Sequence, residues 1–449
     1  MEEIQRILNE VLPLVVPSEE EVKKAKDAEE ELRKRLDDVL KNYPQLEYRF
    51  LGSYARNTWL KGNLEIDVFI LFPEDTPKDD LERIGLEIGK AVVDEYELRY
   101  AAHPYVHGIV KGVEVDVVPC YKLKSAGKIK SAVDRTPFHH DWLKDRIKGK
   151  ENDVRLLKKF LKVAGIYGAE YKVRGFSGYL CELLVVFYGS FLDVIKNATA
   201  WTRNTVIDVP AGKIYKKKGM GFFVVDPVDP KRNVAANLSL DNLARFVQLC
   251  REFLRNPAKD YFIEKEVEIP SDEIIANEIE QRGTGLCAVV FEKPDIVEDN
   301  LYPQLEKACR RIEDFLRREN FLPLRSRFFA DESRCVLIFE TQVKELARIR
   351  RHEGPPFEEE EHVERFLRKE RKYRPFIEGG KFWVYVERKN WKVEDAIADL
   401  IRREWRSMGK NVGEMLKKHF EILVGKSVLK IEGKEFRRFL VDFLCLKLN

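Results

Sequence analysis

Residues 52–72 read "GSYARNTWLKGNLEIDVFILF". The stretch closes in an apolar run of Ile, Val, Phe and Leu that two acids, Glu65 and Asp67, interrupt. Such a run is a strand. Positions i and i+2 of a strand share a face, so Glu65 and Asp67 are expected to point one way while Ile66 and Val68 pack behind them. Two like charges brought together without partners cost free energy, and a positive charge is therefore expected at them.

A third acid stands on a second candidate strand, "VEVDVVPCY" (113–121), where Asp116 interrupts valines and Glu114 lies two places before it. Carboxylates from two neighbouring strands suit Mg²⁺, a hard cation that takes oxygen ligands and completes its shell with water and substrate phosphates. Two such ions clamp the attacking and leaving oxygens of a phosphoryl transfer. Taken alone, an acid pair on a strand is more often a solvent-facing edge. The upstream Gly52-Ser53 weighs against that reading. Between a strand and a helical turn it offers backbone N–H groups and a hydroxyl to a phosphate, and Arg56 is near enough to add charge.

Outward from these strands, Ser18 and Glu21 form a capping box ahead of Val22, Ala25, Leu32, Leu36 and Val39, which predicts a long amphipathic helix over 18–42. "EYRFLG", "LEIDVFILF", "ELRYAA", "YVHGIV" and "VEVDVVPCY" read as strands, with a helix near 79–95 and a tight turn at Lys111-Gly112. From "DRTPFHHDWLKDRI" to about 263 the pattern turns helical. Thr136 and Ser177 are expected as N-caps, Pro137 at the first helical position and Ser239 at another helix start, with a short "GFFVVDP" strand between. Beyond 264, "TGLCAVVFE", a helix at 301–319, "FLPLRSRFF" and "CVLIFETQ" predict strand-helix-strand-strand. "KFWVYVERK" precedes a helical end, and "PPFEEEE" (355–361) reads as an exposed loop before a helix. The expected fold is α+β and multidomain: a head of mixed sheet and helices over 1–143, a helical middle domain over 144–263 and an α/β C-terminal region over 264–449.

The chain of 449 residues is 44% hydrophobic and 35% charged, with a net charge of only +3. A polyanionic partner must therefore meet a local basic surface. Residues 1–143 carry 21 Lys/Arg against 28 Asp/Glu, residues 144–263 carry 22 against 12, and residues 264–449 carry 37 of each. The middle third is the basic one, a pointer to nucleic acid that a solvated basic face explains almost as well. Seven widely spaced cysteines without a CxxC argue for reduced thiols in a cytoplasmic protein and against a zinc site or disulfide framework. The opening "MEEIQRILNE" is unlike a signal peptide, and the longest apolar stretch, "LCELLVVFYGSFL", is interrupted by Glu182 and too short to span a bilayer. A soluble protein with no membrane partner is expected.

"GSYARNTWL…EID" with "VEVDVVPCY" is similar to the signature of the polymerase-β-like nucleotidyltransferases. Together with "SAVDRTPFHH", "RGFSGYLCELL", "DPVDPKRNVAANLS" and "KPDIVEDNLYPQLE", it resembles the archaeal (class I) CCA-adding enzymes along nearly the whole chain. The resemblance implies a polymerase-β-like head. It also implies an RNA polymerase, working without a nucleic acid template, that builds or repairs the CCA 3′ end of tRNA from CTP and ATP. By position, it implies that Glu65, Asp67 and Asp116 bind the metal. Ser53, Arg56, His139, Lys158 and Tyr167 would hold the incoming nucleotide, mainly its triphosphate, and Arg232 would help select the base. Where the family often has an acid before the His-Pro of "AAHPYVHG", Ala102 precedes His103 here, which touches a local contact near the RNA end.

Each of these residues also has a plainer reading. His139 is otherwise a satisfied structural histidine, Lys158 in "RLLKKFLKVAG" a solvated lysine, and Tyr167 a cap on a small hydrophobic cluster. Arg232 is otherwise a loop pin held by Asp226 or Asp229. The expected reaction is attack of an RNA 3′-hydroxyl on the α-phosphate with loss of pyrophosphate. A poly(A) polymerase or oligonucleotide synthetase on the same head is the nearer alternative, and a non-catalytic RNA-binding protein the more distant one. The C-terminal region is expected to bind tRNA, Arg/Lys helices such as "KACRRIEDFLRREN" suiting contacts to an A-form backbone. A homodimer is an open expectation.

Overall fold

The computed structural model describes residues 2–100, 103–264 and 268–446; Ala102 lies outside them. The chain divides into two compact units, Met1–Lys265 and Glu266–Asn449.

In the first unit, helix α1 (Glu2–Val15) precedes α2 (Glu19–Leu40). Ser18 starts α2 by the expected reciprocal box: Glu21 N–H donates to Ser18 Oγ, and Ser18 N–H donates to the Glu21 carboxylate. The strands β1 (Glu47–Leu51), β2 (Glu65–Phe72), β3 (Glu95–Tyr100), β4 (Pro104–Val110) and β5 (Val113–Tyr121) form one sheet in the order β1-β2-β5-β4-β3. Only β2 and β5 pair parallel, so the sheet is mixed. Lys111 and Gly112 both have positive φ, 49° and 71°, the left-handed pair that a two-residue hairpin turn needs.

Alternation along the strands sorts the two faces. Ile66, Val68, Ile70 and Phe72 of β2 pack with Val113, Val115 and Val117 of β5 against α2 and the helix α3 (Lys78–Val92). Glu65 and Asp67 are thereby left on the opposite face, as their spacing predicts.

The helices α4 (Thr136–Leu143), α5 (Glu151–Val163), α6 (Gly178–Tyr188), α7 (Phe191–Ala198) and α8 (Leu240–Arg255) surround a second core centred on Phe160, Phe191, Phe246, Phe253 and Phe262. The apolar face of α1, including Ile4, Ile7, Leu8 and Val11, is buried in this core and not in the head. Ser177 and Ser239 accept from Leu180 N and Asn242 N at 3.1 Å, confirming both caps. Thr136 is not a cap. A 3-10 turn over Ala132–Arg135, itself held by Ser131 and Asp134, runs straight into α4 and makes Thr136 its first helical residue. The middle region is also less purely helical than expected. It holds a small sheet, β7-β6-β8, of β6 (Thr205–Asp208), β7 (Lys213–Lys216) and β8 (Phe223–Val225). Strands of three or four residues show too little alternation to be read, and only β8 was visible, as "GFFVVDP".

The apolar stretch from Leu180 breaks where α6 meets α7 at 91°. Among the described residues no single helix is long and apolar enough to cross a membrane.

The second unit follows the expected strand-helix-strand-strand order. After α9 (Asp272–Gln281) come β9 (Gly285–Glu292), α10 (Glu298–Arg318), β10 (Pro323–Ala330) and β11 (Arg334–Thr341), joined later by β15 (Glu421–Val424) in an antiparallel sheet ordered β10-β11-β9-β15. A second antiparallel sheet, ordered β12-β14-β13, is formed by β12 (Ile349–Pro356), β13 (Phe376–Glu378) and β14 (Lys381–Glu387). Pro355 and Pro356 end β12, and the expected exposed loop is confined to 357–359, ahead of a helix at Glu360–Lys369. β12 is an edge strand whose register slips after Glu353, and an edge tolerates a residue without an N–H.

Candidate active site

β1 ends at Leu51, directly opposite Asp67 of β2. The chain then turns at Gly52, with φ +68°, into a single helical turn, Gly52–Ala55, that carries Ser53. A Cβ on Gly52 would fall 1.7 Å from Asp67 Oδ2. The position therefore requires glycine twice over, for backbone conformation and for space. Gly52→Ala is expected to cost about 1–3 kcal/mol of stability and to push Asp67 off its position; a variant that melts together with the wild type would contradict this close approach.

The parallel register of β2 and β5 sets Asp67 against Asp116 and Glu65 against Glu114. Glu114 is exposed at the surface. Antiparallel β4 adds His107, opposite Asp116. His107 Nδ1 lies 2.7 Å from Asp116 Oδ1 and 3.9 Å from Glu65 Oε1, and Glu65, His107 and Asp116 bring their ligand atoms within 4.8 Å of one another. Asp67 stands beside this cluster, against Gly52.

Burial, with the charges of Glu65 and Asp116, raises the Asp67 carboxyl to about 7. Burial and Asp116 likewise raise Glu65, and burial raises Asp116 against the opposing pull of its His107 hydrogen bond. Three carboxylates that burial raises, two of them also through their neighbours' charge, on one face and beside a glycine turn, are a donor set that fits a divalent cation.

A positive charge does lie close by. Arg56 reaches Glu182 of α6 through Nε at 3.1 Å and Nη2 at 2.9 Å. Thr58 Oγ1 donates to the same carboxylate at 2.5 Å, and Lys158 Nζ donates to the Thr58 carbonyl at 3.0 Å. Glu182 has no exposed surface. Burial opposes its ionisation, yet Arg56 and Lys158 hold its pKa below the ordinary carboxylate value. Lys158 is 3% exposed, which rules out the solvated reading, and burial pulls its ammonium down. Two cations against one carboxylate leave a net positive site. Arg56 Nη1 is moreover buried without an acceptor among the described residues. Tyr167 packs partly buried against the helical core. A Cβ on Gly178 would lie 3.1 Å from Tyr167 Oη and 3.7 Å from Lys158 Nζ, so both groups converge on the first residue of α6.

His139 Nε2 lies 2.9 Å from Asp226 Oδ2, and its ring stacks on Tyr179 at 4.0 Å. Burial lowers the His139 pKa against the opposing influence of Asp226. Arg232 Nη1 meets the same Asp226 oxygen at 2.8 Å, while Asp229 is held by Arg135 at 3.1 Å. Of the two loop partners the sequence allowed for Arg232, the structure selects Asp226. The Arg232 side chain remains 36% exposed, which leaves part of the guanidinium open.

His107, Glu182, Tyr179 and Asp226 were not singled out as site residues. His107 is an ordinary strand residue until the β4–β5 register is known. Glu182 carried one signal, a lone acid in an apolar run, which a buried cationic partner explains.

Acidic side chains converging from parallel strands, a glycine turn at their edge and a buried cationic cluster behind them define a nucleotidyltransferase. The family model described as "Nucleotidyltransferase domain" matches residues 14–139, "tRNA nucleotidyltransferase, second domain" matches 152–263, and "CCA-adding enzyme, C-terminal domain" matches 282–425. The CCA-adding enzyme of Archaeoglobus fulgidus is 61% identical over 427 residues, covering 95% of this chain and 96% of that protein. That of Methanocaldococcus jannaschii is 42% identical over 415 residues, covering 89% and 91%. Among solved structures, a Cid1 poly(U) polymerase aligns with a TM-score of 0.45 at 17% identity, over 59% of this chain and 99% of that one. The chain belongs to the CCA-adding enzyme family.

Proposed function

We propose that this chain builds and repairs the CCA 3′ end of tRNA from CTP and ATP without a nucleic acid template. The observation that carries this reading is its 61% identity, over 95% of its length, to a protein named for that reaction.

Glu65, Asp67 and Asp116 would hold a divalent cation, and carboxylate oxygens favour Mg²⁺. The chemistry such an ion supplies is to lower the pKa of the attacking 3′-hydroxyl and to offset charge on the departing pyrophosphate. Asp116 takes the hydroxyl proton, with His107 Nδ1 fixing its Oδ1. Ser53 and the backbone after Gly52 receive the phosphates at the sheet edge. Arg56, Lys158 and Tyr167 neutralise and orient the triphosphate, the buried unpartnered Nη1 of Arg56 being the donor that a phosphate oxygen would satisfy. His139 contributes from the Asp226 side, and Arg232 reads the base. The second unit binds tRNA. Seven free thiols support residence in the cytoplasm, and a homodimer is the assembly we propose.

Three tRNAs test the function, ending before the first, after the first and after the second terminal nucleotide. CTP alone extends the chain to CC and stalls, ATP alone extends only the tRNA already ending in CC, and both together stop at CCA. Long homopolymer tails, or no incorporation despite tight RNA binding with Mg²⁺, would overturn the reading.

A further inference from the structure

Asp226 has no exposed surface and receives four donors. His139 Nε2 at 2.9 Å and Arg232 Nη1 at 2.8 Å both meet Oδ2. The Tyr179 hydroxyl at 3.2 Å and Val228 N–H at 3.0 Å meet Oδ1. The carboxyl is held down to about 2, burial being outweighed by these partners.

Two side chains with different tasks, one on the triphosphate and one on the base, thus share a single oxygen atom. When Arg232 shifts to meet an ill-fitting base edge, its pull on Oδ2 changes. The carboxylate is anchored at Oδ1 by the Val228 backbone and the Tyr179 hydroxyl, so it answers by pivoting about that oxygen, and the pivot moves Oδ2 relative to His139. The His139 ring cannot follow freely, because it is stacked on Tyr179, which is tied to the same carboxylate.

We infer that Asp226 is a positioning residue for nucleotide choice: it couples base reading at Arg232 to triphosphate placement at His139. A mismatched base is therefore penalised in the rate of transfer as well as in binding. The inference rests on the assignment of Arg232 to the base made above.

The test compares single-turnover rates and apparent KM for CTP, ATP, UTP and GTP, with the same shortened tRNAs, in the wild type, Arg232→Ala, Asp226→Asn, their double variant and Asp229→Asn. An amide offers one acceptor oxygen and turns an NH₂ toward the remaining donors, so Asp226→Asn leaves part of the set unmet. Discrimination against UTP and GTP is expected to fall about tenfold or more in Asp226→Asn, chiefly in the single-turnover rate, and the double variant to be no worse than the poorer single variant. Asp229→Asn loosens the same loop through Arg135 alone and keeps wild-type discrimination. Should Asp226→Asn not fold, Tyr179→Phe carries the test: it removes one donor from Oδ1, retains the stacked ring and gives a smaller loss of the same kind. Unchanged discrimination in the Asp226 and Tyr179 variants, with a loss in Arg232→Ala, would overturn the coupling and leave base reading intact. Unchanged discrimination in Arg232→Ala would overturn both, and an equal loss in Asp229→Asn would reduce the effect to general loop loosening and overturn the role of Asp226.

Discussion

Asp116→Ala and Asp67→Ala each lower nucleotide addition by about a thousandfold or more, while tRNA affinity stays close to wild type because the RNA is held mostly by surfaces outside these carboxylates. Incorporation of labelled CTP and filter binding of tRNA measure the two effects side by side, and turnover within tenfold of wild type would remove the acid from the mechanism. Neither variant unfolds the protein: Asp67→Ala removes a charge that Glu65 and Asp116 repel, and Asp116→Ala leaves His107 near Glu65, 3.9 Å away. For Asp67 the sign follows from its folded value of about 7 against about 3.9 in an unfolded chain. The stability it contributes is fully present below pH 3.9 and lost as pH rises through 7. In chelator-treated protein the wild-type melting temperature should therefore fall across that window relative to Asp67→Asn, and added Mg²⁺ should close the gap. Superimposed melting curves with and without Mg²⁺ would argue against a shared ion.

Glu182→Gln has the largest expected effect on stability. The side chain of Arg56 is 7% exposed, Lys158 is 3% exposed, and the Glu182 carboxylate is the anion they share. Neutralising it strands buried positive charge, at a cost on the order of 3–5 kcal/mol, which for a unit of this size is a fall of roughly 10 °C in melting temperature. The triphosphate supplies the missing negative charge, so saturating CTP or ATP should recover part of the loss. A variant that melts within about 2 °C of wild type would show that Glu182 is dispensable to the pair. One that melts low and is not helped by nucleotide would separate the buried pair from phosphate binding.

The alternation in "LEIDVFILF" and "VEVDVVPCY" was legible because period-2 patterning depends only on neighbours along the chain, and it placed Glu65 and Asp67 on one face and Asp116 on a second strand, while the parallel register that brings the three together comes from the fold. The serine caps at 18, 177 and 239 were legible for the same local reason. What escaped depends on partners far away in sequence. His107 joins Asp116 only through the β4–β5 register, Glu182 finds Arg56 across 126 residues, and Asp226 finds His139 across 87. Lys158 looked solvated because its helix is amphipathic in aggregate, and no periodicity reports that one lysine has turned inward to a backbone carbonyl. Thr136 was misjudged through a preceding 3-10 turn, which leaves the helix without a sharp beginning.

The burial of α1 in the helical core and not in the sheet that follows it bears on how the chain is made. The helix leaves the ribosome before any of its partners from Leu143 to Phe262. At ordinary synthesis rates its apolar face waits roughly 10–50 s for them. During that interval the sheet built on α2 can close without it, so the head forms around a tethered, unsatisfied helix that is a ready client for a chaperone. Fragments cut after the head inherit the same defect permanently, and an isolated head that stays soluble is one that begins after Val15.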